Sequence, residues 1–581
     1  MMISTGFRSM LCVLIHASLA GVLGAQEIAE PVAFPLEVRA GGGELQELEL
    51  RLVDGRVDGL AELDRLVFRD VILPGGSALD IELEAVDLER MQIGVHLNGQ
   101  PQAELVEPLG LSVWQGTVLG SEDSEVSLSF SRFGCHGWVR DGDRLVHMFS
   151  EAHPTEGWAN ARTRWTTDAL LRERRGEVGV LCAMDALEEQ TGTQRAPVLR
   201  DPEASSTSQS MLLGSETYVA AIAVETDYQY FQVFGDTNAA LSYVVSLFAW
   251  ASNRFETQVG TVLTLPYVNF YTTAADPWIA PDTGGNCLDM IYEFQAAWIG
   301  NVPMGADIGH MLSGANLGCG AGFIGGLCDP ARQFSVSGNG NGMVTFPVMP
   351  SDANLDFYAV GHELGHNFSA PHTHDYCPPI DECATAGYFG QCQTQQACTY
   401  PGTLMSYCHV CGGFSNISTW FHPQSALDMR NHVETSGCLP VYCPPPVAYC
   451  SSQYNSDGCA PEIDFSGSPS LSGADDFHIK AALIVANKSG LLFYGFGPAN
   501  IPLLGGTLCV QGPQVRTSIA NSGGSSQFPC DGEFDFFWSQ AFNASQGIGA
   551  GTSVYAQFWY RDPGAASGTG LTDALEFSVC P

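Results

Sequence analysis

The sequence predicts a multidomain protein with a β-rich N-terminal region, a central α/β domain and a C-terminal antiparallel β-sandwich. The chain has 581 residues, more than a single hydrophobic core normally organises. Short runs of alternating polar and apolar residues, such as Glu47–Val53, dominate as far as about residue 200 and predict a sheet with one face in water. Helix and strand patterns then alternate up to the proline-rich Cys443–Pro446, after which only short strand patterns such as Val554–Tyr560 recur.

The N-terminus is typical of a secretory signal peptide. Arg8 precedes the apolar run Met10–Leu23, and Gly24 and Ala25 are small enough for signal cleavage. No later stretch has the length and polarity of a transmembrane helix, so we expect an exported protein without a membrane span. The predicted segments are a signal peptide over 1–25, a β-rich domain over 26–205, an α/β domain over 206–440 and a β-sandwich module over 441–581.

Charge and cysteine usage agree with an extracellular location. A formal net charge of -39 argues against binding nucleic acid or anionic membranes, because both require basic surfaces. Of the 19 cysteines, Cys12 lies in the predicted signal peptide, and the others fall into three blocks with even counts. Cys135 and Cys182 form the first block, residues 287–438 hold ten cysteines, and residues 443–580 hold six. This distribution predicts disulfides confined to separate domains.

The α/β region begins with four elements whose periodicity is clear. Strand patterns cover Tyr218–Val224 and Val262–Phe270. Helical patterns cover Asp236–Phe255 and Cys287–Trp298, where apolar residues recur at a period close to 3.6. These elements would form the scaffold for the motif that follows them.

A metal-binding pattern lies in the second half of this region. His362 and His366 are four residues apart, so on a helix they project from one face and can occupy two corners of a zinc tetrahedron. Glu363 lies beside them as a general base for a zinc-activated water. The small residues after the helix allow the chain to turn, so that His372 can supply a third nitrogen and leave a fourth position open. The alternative is a pair of histidines on a buried helix face.

The segment Gly402–Cys408 strengthens the metal interpretation. Met405 lies 33 residues beyond His372, and the two motifs in this order resemble those of the metzincin zinc metallopeptidases. The resemblance implies Zn²⁺ as the cofactor and a methionine turn beneath the metal. It departs at Ser369, where the family usually has glycine or asparagine, so we expect Ser369 to adopt a strained positive φ. By resemblance the site residues are the zinc ligands His362, His366 and His372, the general base Glu363, the turn residue Met405, and Tyr407 as a candidate transition-state stabiliser.

The N-terminal region resembles the prodomain of reprolysin-like (adamalysin, ADAM-type) metallopeptidases, through Trp114–Gly120, Ser124–Ser129 and Gly134–Val139. That family places an inhibitory cysteine near the end of its prodomain, and Cys182 stands there. Its thiolate would fill the open zinc position, and its release would then need a cut near Arg195 to Met211. The alternative is a Cys135–Cys182 disulfide, and both interpretations stay open. Residues 305–328 resemble the family's edge strand above the cleft, where an extended substrate pairs.

These observations predict a secreted zinc metalloendopeptidase that is made as a latent precursor and acts on a protein or peptide substrate. Two other classes stay open: a zinc hydrolase of non-peptide amides, and an adhesion or binding protein with an inactive protease domain. The C-terminal module is expected either to bind a substrate or surface or to serve as a stabilising appendage.

Overall fold

The structure is a computed structural model of the chain. The residues it describes are 30–40, 46–53, 55–102, 109–121, 123–153, 155–175, 182–183, 198–199, 216–315, 317, 319–338, 353–398, 402–525 and 530–581. The predicted signal peptide and the predicted cleavage region between Arg195 and Met211 lie outside these residues, apart from 198–199.

The N-terminal region is a large β-sheet. Ten strands are joined in the order β1-β4-β5-β8-β9-β10-β11-β12-β3-β2. Its elements are β1 (Glu30–Val32), β2 (Leu36–Ala40), β3 (Glu47–Leu52), β4 (Arg65–Ile72), β5 (Ala78–Ala85), β6 (Val95–Leu97), β7 (Gln100–Gln102), β8 (Ser112–Val118), β9 (Ser124–Ser131), β10 (Gly134–Asp141), β11 (Arg144–His153), β12 (Gly157–Thr167) and helix α1 (Asp168–Arg175).

The alternating pattern of this region suggested a sheet with one face in water, and for the central strands that expectation is wrong. In β10 every residue except Asp141 is buried, so both faces of the strand are covered. One face packs on the sheet's own core, which contains Val139. The other face carries Trp138, which belongs to the core of the central region.

The central region is built on a mostly parallel sheet. The seven strands follow the order β17-β18-β16-β14-β15-β6-β7. Its elements are β13 (Val198–Leu199), β14 (Tyr218–Thr226), α2 (Tyr228–Phe234), α3 (Thr237–Val259), β15 (Thr261–Phe270), α4 (Cys287–Trp298), β16 (Ile308–Ser313), β17 (Gly320–Gly322), β18 (Phe334–Gly338), α5 (Ala353–Asn367), β19 (Tyr376–Cys377) and α6 (Pro423–Ser436).

The four elements predicted at the start of this region are present. The predicted helix at Cys287–Trp298 has these bounds because Asn286 caps it in a capping box with Asp289. The predicted edge strand within 305–328 is β17, which lies at the end of the sheet, whereas β16 is an inner strand between β14 and β18. The part of 305–328 that forms β16 therefore does not border the cleft.

Two features join the N-terminal and central regions. The hairpin β6–β7 leaves the N-terminal sheet and extends the central sheet, with β6 parallel to β15. Helix α3 lies between the two sheets, and Trp250 on this helix contacts Trp138 with ring centroids 4.9 Å apart. The two regions consequently share one hydrophobic core.

The C-terminal region consists of antiparallel sheets packed around a common core. A three-stranded sheet (β21-β22-β28) faces a larger one built around β30, β29 and β23, as the prediction of a β-sandwich requires. Its elements are β20 (Val447–Tyr449), β21 (Glu462–Ser466), β22 (His478–Ile484), β23 (Ser489–Gly495), β24 (Pro498–Leu503), β25 (Gly506–Val510), β26 (Val515–Arg516), β27 (Ala520–Asn521), β28 (Gly532–Phe537), α7 (Gln540–Gln546), β29 (Ser553–Arg561) and β30 (Thr569–Ser578).

Disulfides follow the predicted blocks. The central block forms Cys287–Cys319, Cys328–Cys438, Cys377–Cys392, Cys383–Cys408 and Cys398–Cys411. The C-terminal block forms Cys443–Cys580, Cys450–Cys509 and Cys459–Cys530. The alternative Cys135–Cys182 disulfide is not formed. Among the described residues, no helix is long and apolar enough to cross a membrane.

Candidate active site

Helix α5 positions the first three predicted site residues, His362, Glu363 and His366, all of which are buried. The helix packs beneath strands β17 and β18, while its other side contacts the methionine turn. Gly365 makes this second contact close, because a Cβ there would lie 2.6 Å from Sδ of Met405. Met405 therefore packs directly against the helix that carries His362 and His366.

The end of α5 is a Schellman motif. The amide of Ser369 donates to the carbonyl of His366 (2.8 Å), and the amide of Ala370 donates to that of Gly365 (2.9 Å). Ser369 takes the left-handed position of this motif with φ 85°, which confirms the positive φ expected from the sequence. The reversal that follows brings His372 back to the helix.

The three histidine rings converge in one buried cluster. Their centroids are 4.7 Å apart for His362–His366 and for His366–His372, and 5.2 Å apart for His362–His372. One ligand atom from each histidine and the sulfur of Cys182 all lie within 4.8 Å of one another. The structure thus brings Cys182 of the N-terminal region together with the histidines at 362–372.

Polar contacts of the Nδ1 atoms orient each ring so that its other nitrogen faces the cluster. Nδ1 of His362 donates to the carbonyl of Leu404 (2.6 Å), and Nδ1 of His366 donates to the carbonyl of Ala370 (2.8 Å). Nδ1 of His372 lies 3.5 Å from a carboxylate oxygen of Asp375. The Nε2 atoms are then the acceptors, and this is the tautomer in which metal-binding histidines are usually held.

These orientations suit a bound cation. Nε2 of His362 is buried and has no hydrogen-bond partner among the described atoms, and Nε2 of His366 lies 3.2 Å from Nε2 of His372. Two acceptor nitrogens at this distance repel each other unless a cation lies between them. Burial, with a smaller contribution from His372, lowers the pKa of His362 well below its usual value, which keeps the ring neutral. The donor set fits a tetrahedral zinc site.

Glu363 lies beside the histidines with its carboxyl group under strand β17. A Cβ at Gly320 would lie 2.8 Å from Cγ and Cδ of Glu363, so this glycine is needed for the carboxyl group to occupy its place. Burial raises the pKa of Glu363 well above its usual range. Oε2 of Glu363 is 3.8 Å from the sulfur of Cys182.

Cys182 approaches the cluster from the N-terminal region, and its sulfur lies 3.5 Å from Nε2 of His366. Its segment pairs with the edge strand β17, because Cys182 forms a parallel β-bridge with Gly320 and the amide of Ala183 donates to the carbonyl of Gly320 (2.8 Å). Cys182 is thus not paired with Cys135, and its thiol lies at the histidine cluster.

Tyr407 is buried against two histidine rings. Its ring centroid lies 4.5 Å from that of His372 and 4.7 Å from that of His374.

Sequence reasoning did not identify two of the groups around the site, namely the carbonyl of Leu404 and the carboxylate of Asp375. Only the second had a sequence signal, because an acidic residue three positions after a ligand histidine can reach its ring.

Comparison with known proteins gives a match over the same region. Residues 216–420 match the family model Reprolysin_5, described as Metallo-peptidase family M12. The match supports a metallopeptidase domain in this part of the chain. No curated protein matches the chain.

Among the solved structures similar to this chain are two whose similarity is distant. Metalloproteinase-II from Bacteroides fragilis aligns with 62% of this chain and 85% of its own, at 10% identity and a TM-score of 0.31. OgpA from Akkermansia muciniphila aligns with 63% of this chain and 95% of its own, at 11% identity and a TM-score of 0.20. These scores are too low to support a conclusion about this chain.

Proposed function

We propose that this chain is a secreted zinc endopeptidase that is made as a latent precursor. The observation that carries the proposal is the buried cluster in which the acceptor nitrogens of His362, His366 and His372 converge beside Glu363. The family match over residues 216–420 supports the peptidase class. The disulfides and the acidic composition support an extracellular location.

The three histidines would hold the metal, and each is fixed by the partner of its other nitrogen. When bound, zinc supplies a Lewis acid that polarises the scissile carbonyl and makes a water molecule acidic near neutral pH. Glu363 would accept the proton of the attacking water at its carboxylate and pass it to the leaving nitrogen. The packing of Tyr407 on His372 supports a role in holding the ligand ring, and contact of its hydroxyl with the transition state stays a prediction.

The position of Cys182 supports the proposed latency. Its sulfur lies where a fourth ligand would bind, and its segment pairs with the edge strand that an extended substrate would use. Both the metal and the substrate strand would therefore be blocked by the same short segment. Activation would require its withdrawal, for example after a cut in the region between Arg195 and Met211.

Substitution of the general base tests the function. Glu363→Gln keeps the shape of the side chain but removes the proton acceptor, so we expect loss of at least about a hundredfold in the rate of casein cleavage with unchanged zinc content. Zinc content is measured by atomic absorption, and cleavage is measured in a Cys182→Ala background with and without a chelator.

Three outcomes of this experiment would contradict the proposal. Protein cleavage that survives Glu363→Gln would exclude Glu363 as the base. Hydrolysis of small non-peptide amides by the Cys182→Ala protein, without cleavage of casein or gelatin, would favour the zinc amidohydrolase class. Zinc binding without any hydrolysis would favour a binding protein with an inactive protease domain.

A further inference from the structure

The outer face of the larger C-terminal sheet carries an apolar layer in addition to the core on its inner face. Leu491 on β23 lies opposite Trp559 on β29, and Trp559 lies opposite Leu571 on β30. The alternate residues Leu492 and Phe558 point into the main core. Because the side chains on both faces of the sheet are apolar, a second layer is needed to shield the outer face from water.

The hairpin β24–β25 covers only part of this outer face. A cavity of about 330 Å³ lies between the hairpin and the sheet. Leu503 and Leu504, at the turn of the hairpin, line it although they are 38% and 48% exposed. The cavity is therefore open at the surface and large enough for a bulky apolar side chain or two.

The turn of the hairpin contains a residue type that is unfavourable in the backbone conformation found there. Leu504 and Gly505 connect the paired residues Leu503 and Gly506, and both have positive φ (53° and 88°). Asn and Gly are preferred at these positions, and leucine is strained there. The local structure is thus weakened by a leucine whose side chain contributes to the cavity.

One positively charged side chain, that of Arg516, lines the cavity. Arg516 on β26 lies directly opposite Phe493, which forms part of the floor. Its guanidinium makes no ion pair or side-chain hydrogen bond with any residue that the structure describes. The C-terminal region is otherwise acidic, and the other basic residues after position 440 are Lys480, Lys488 and Arg561. An apolar cavity with an available guanidinium is complementary to an apolar group next to a carboxylate.

We propose that this cavity captures an extended segment of a protein substrate in which a bulky apolar residue lies next to Asp or Glu. The apolar surface extends along the hairpin to the exposed Ile501, which lies opposite the cavity-lining Leu508. Strand β26 lies at the end of its sheet, so its outward backbone groups can pair with an extended peptide. This inference rests on the proposed function only in naming the bound segment a substrate.

Binding is measured with the full-length Glu363→Gln protein, so that cleavage does not interfere. The probe is a fluorescein-labelled peptide with a Leu-Trp-Asp core between Gly-Ser spacers, and its control has Lys in place of Asp. Fluorescence anisotropy should show tighter binding of the acidic peptide. Arg516→Ala should weaken its binding by about fivefold, as expected for one exposed ion pair, and should leave the Lys peptide unaffected.

A matched pair of leucine substitutions separates binding from folding. Leu504→Asn suits the turn better, so the melting temperature should be unchanged or higher while binding of both peptides falls by about fivefold or more. Leu483→Asn is the control, because Leu483 also has a positive φ (57°) and is 39% exposed but does not line the cavity. It should bind both peptides as the parent does.

The proposal is overturned if the two peptides bind equally, if Leu504→Asn binds as the parent does, or if dodecanoate binds while the peptides do not. The last result would assign the cavity to a lipid. Peptide binding with the expected variant pattern in a protein that hydrolyses no peptide would support the site and refute the proposed peptidase function, so the two failures are distinguishable.

Discussion

At the scale of single residues, most groups of the candidate site are held in place by local geometry. His362 and His366 share a helix face, and the Schellman turn brings His372 back within six residues. Cys182 is different, since its proximity to His366 depends on how two distant regions pack. For that reason the sequence alone left its disulfide and zinc-capping interpretations open.

The turn at Ser369 yields a stability prediction. Ser369→Gly should raise the melting temperature of the central region, because glycine adopts φ 85° without the steric cost that serine bears, typically about 1–2 kcal/mol. The greater freedom of glycine in the unfolded chain offsets part of this gain, so we expect a net effect of about 0.5–1 kcal/mol. Calorimetry measures it, with Ser369→Val as a destabilised control. A lower melting temperature for the glycine variant would contradict the account.

At the scale of elements, the helices and strands with strong local signals were predicted well. The elements that they pair with or pack against were not predicted. Helix α4 has the predicted bounds because its cap and its apolar period are both local. The hairpin β6–β7 could not be assigned to the central sheet, because alternation identifies a strand without identifying its neighbour. The buried outer face of β10 was missed for the same reason, since helix α3 covers it.

Strand β17 provides a prediction about catalysis. Gly320→Ala would place a methyl group against the side chain of Glu363, whose flexible end can move aside without disrupting the fold. We expect kcat to fall about tenfold to a hundredfold in the Cys182→Ala background, with a nearly unchanged melting temperature, because the base is displaced. Gly549→Ala is the control, since its Cβ would meet no atom within 4 Å. Unchanged kcat for Gly320→Ala would refute the assigned position of Glu363.

At the scale of the whole molecule, the N-terminal and central regions are held together by more than the chain between them. Arg254 on α3 pairs with Glu125 of β9 at 3.0 Å in a buried position, and its guanidinium stacks on Trp420 at 3.5 Å. Burying such a pair requires that both partners remain in place, since either charge alone would be costly. The sequence predicted a separate prodomain but gave no indication of this shared interior.

Cleavage of the connecting segment should therefore leave the two regions associated. We expect that a specific protease site introduced between residues 200 and 210, once cut, yields two fragments that elute together in size-exclusion chromatography and separate only in denaturant. Glu125→Ala, which leaves Arg254 buried without its partner, should promote their separation. Separation of the cut parent protein under native conditions would contradict the shared core.

Zinc K-edge X-ray absorption of the full-length protein, compared with its Cys182→Ser variant, tests the central claim most directly. The account predicts about one zinc per chain with three nitrogen ligands at about 2.0–2.1 Å and one sulfur ligand at about 2.3 Å. In the variant the sulfur ligand should be lost and casein cleavage should rise. Absence of stoichiometric zinc, or a zinc centre without sulfur in the full-length parent, would contradict it.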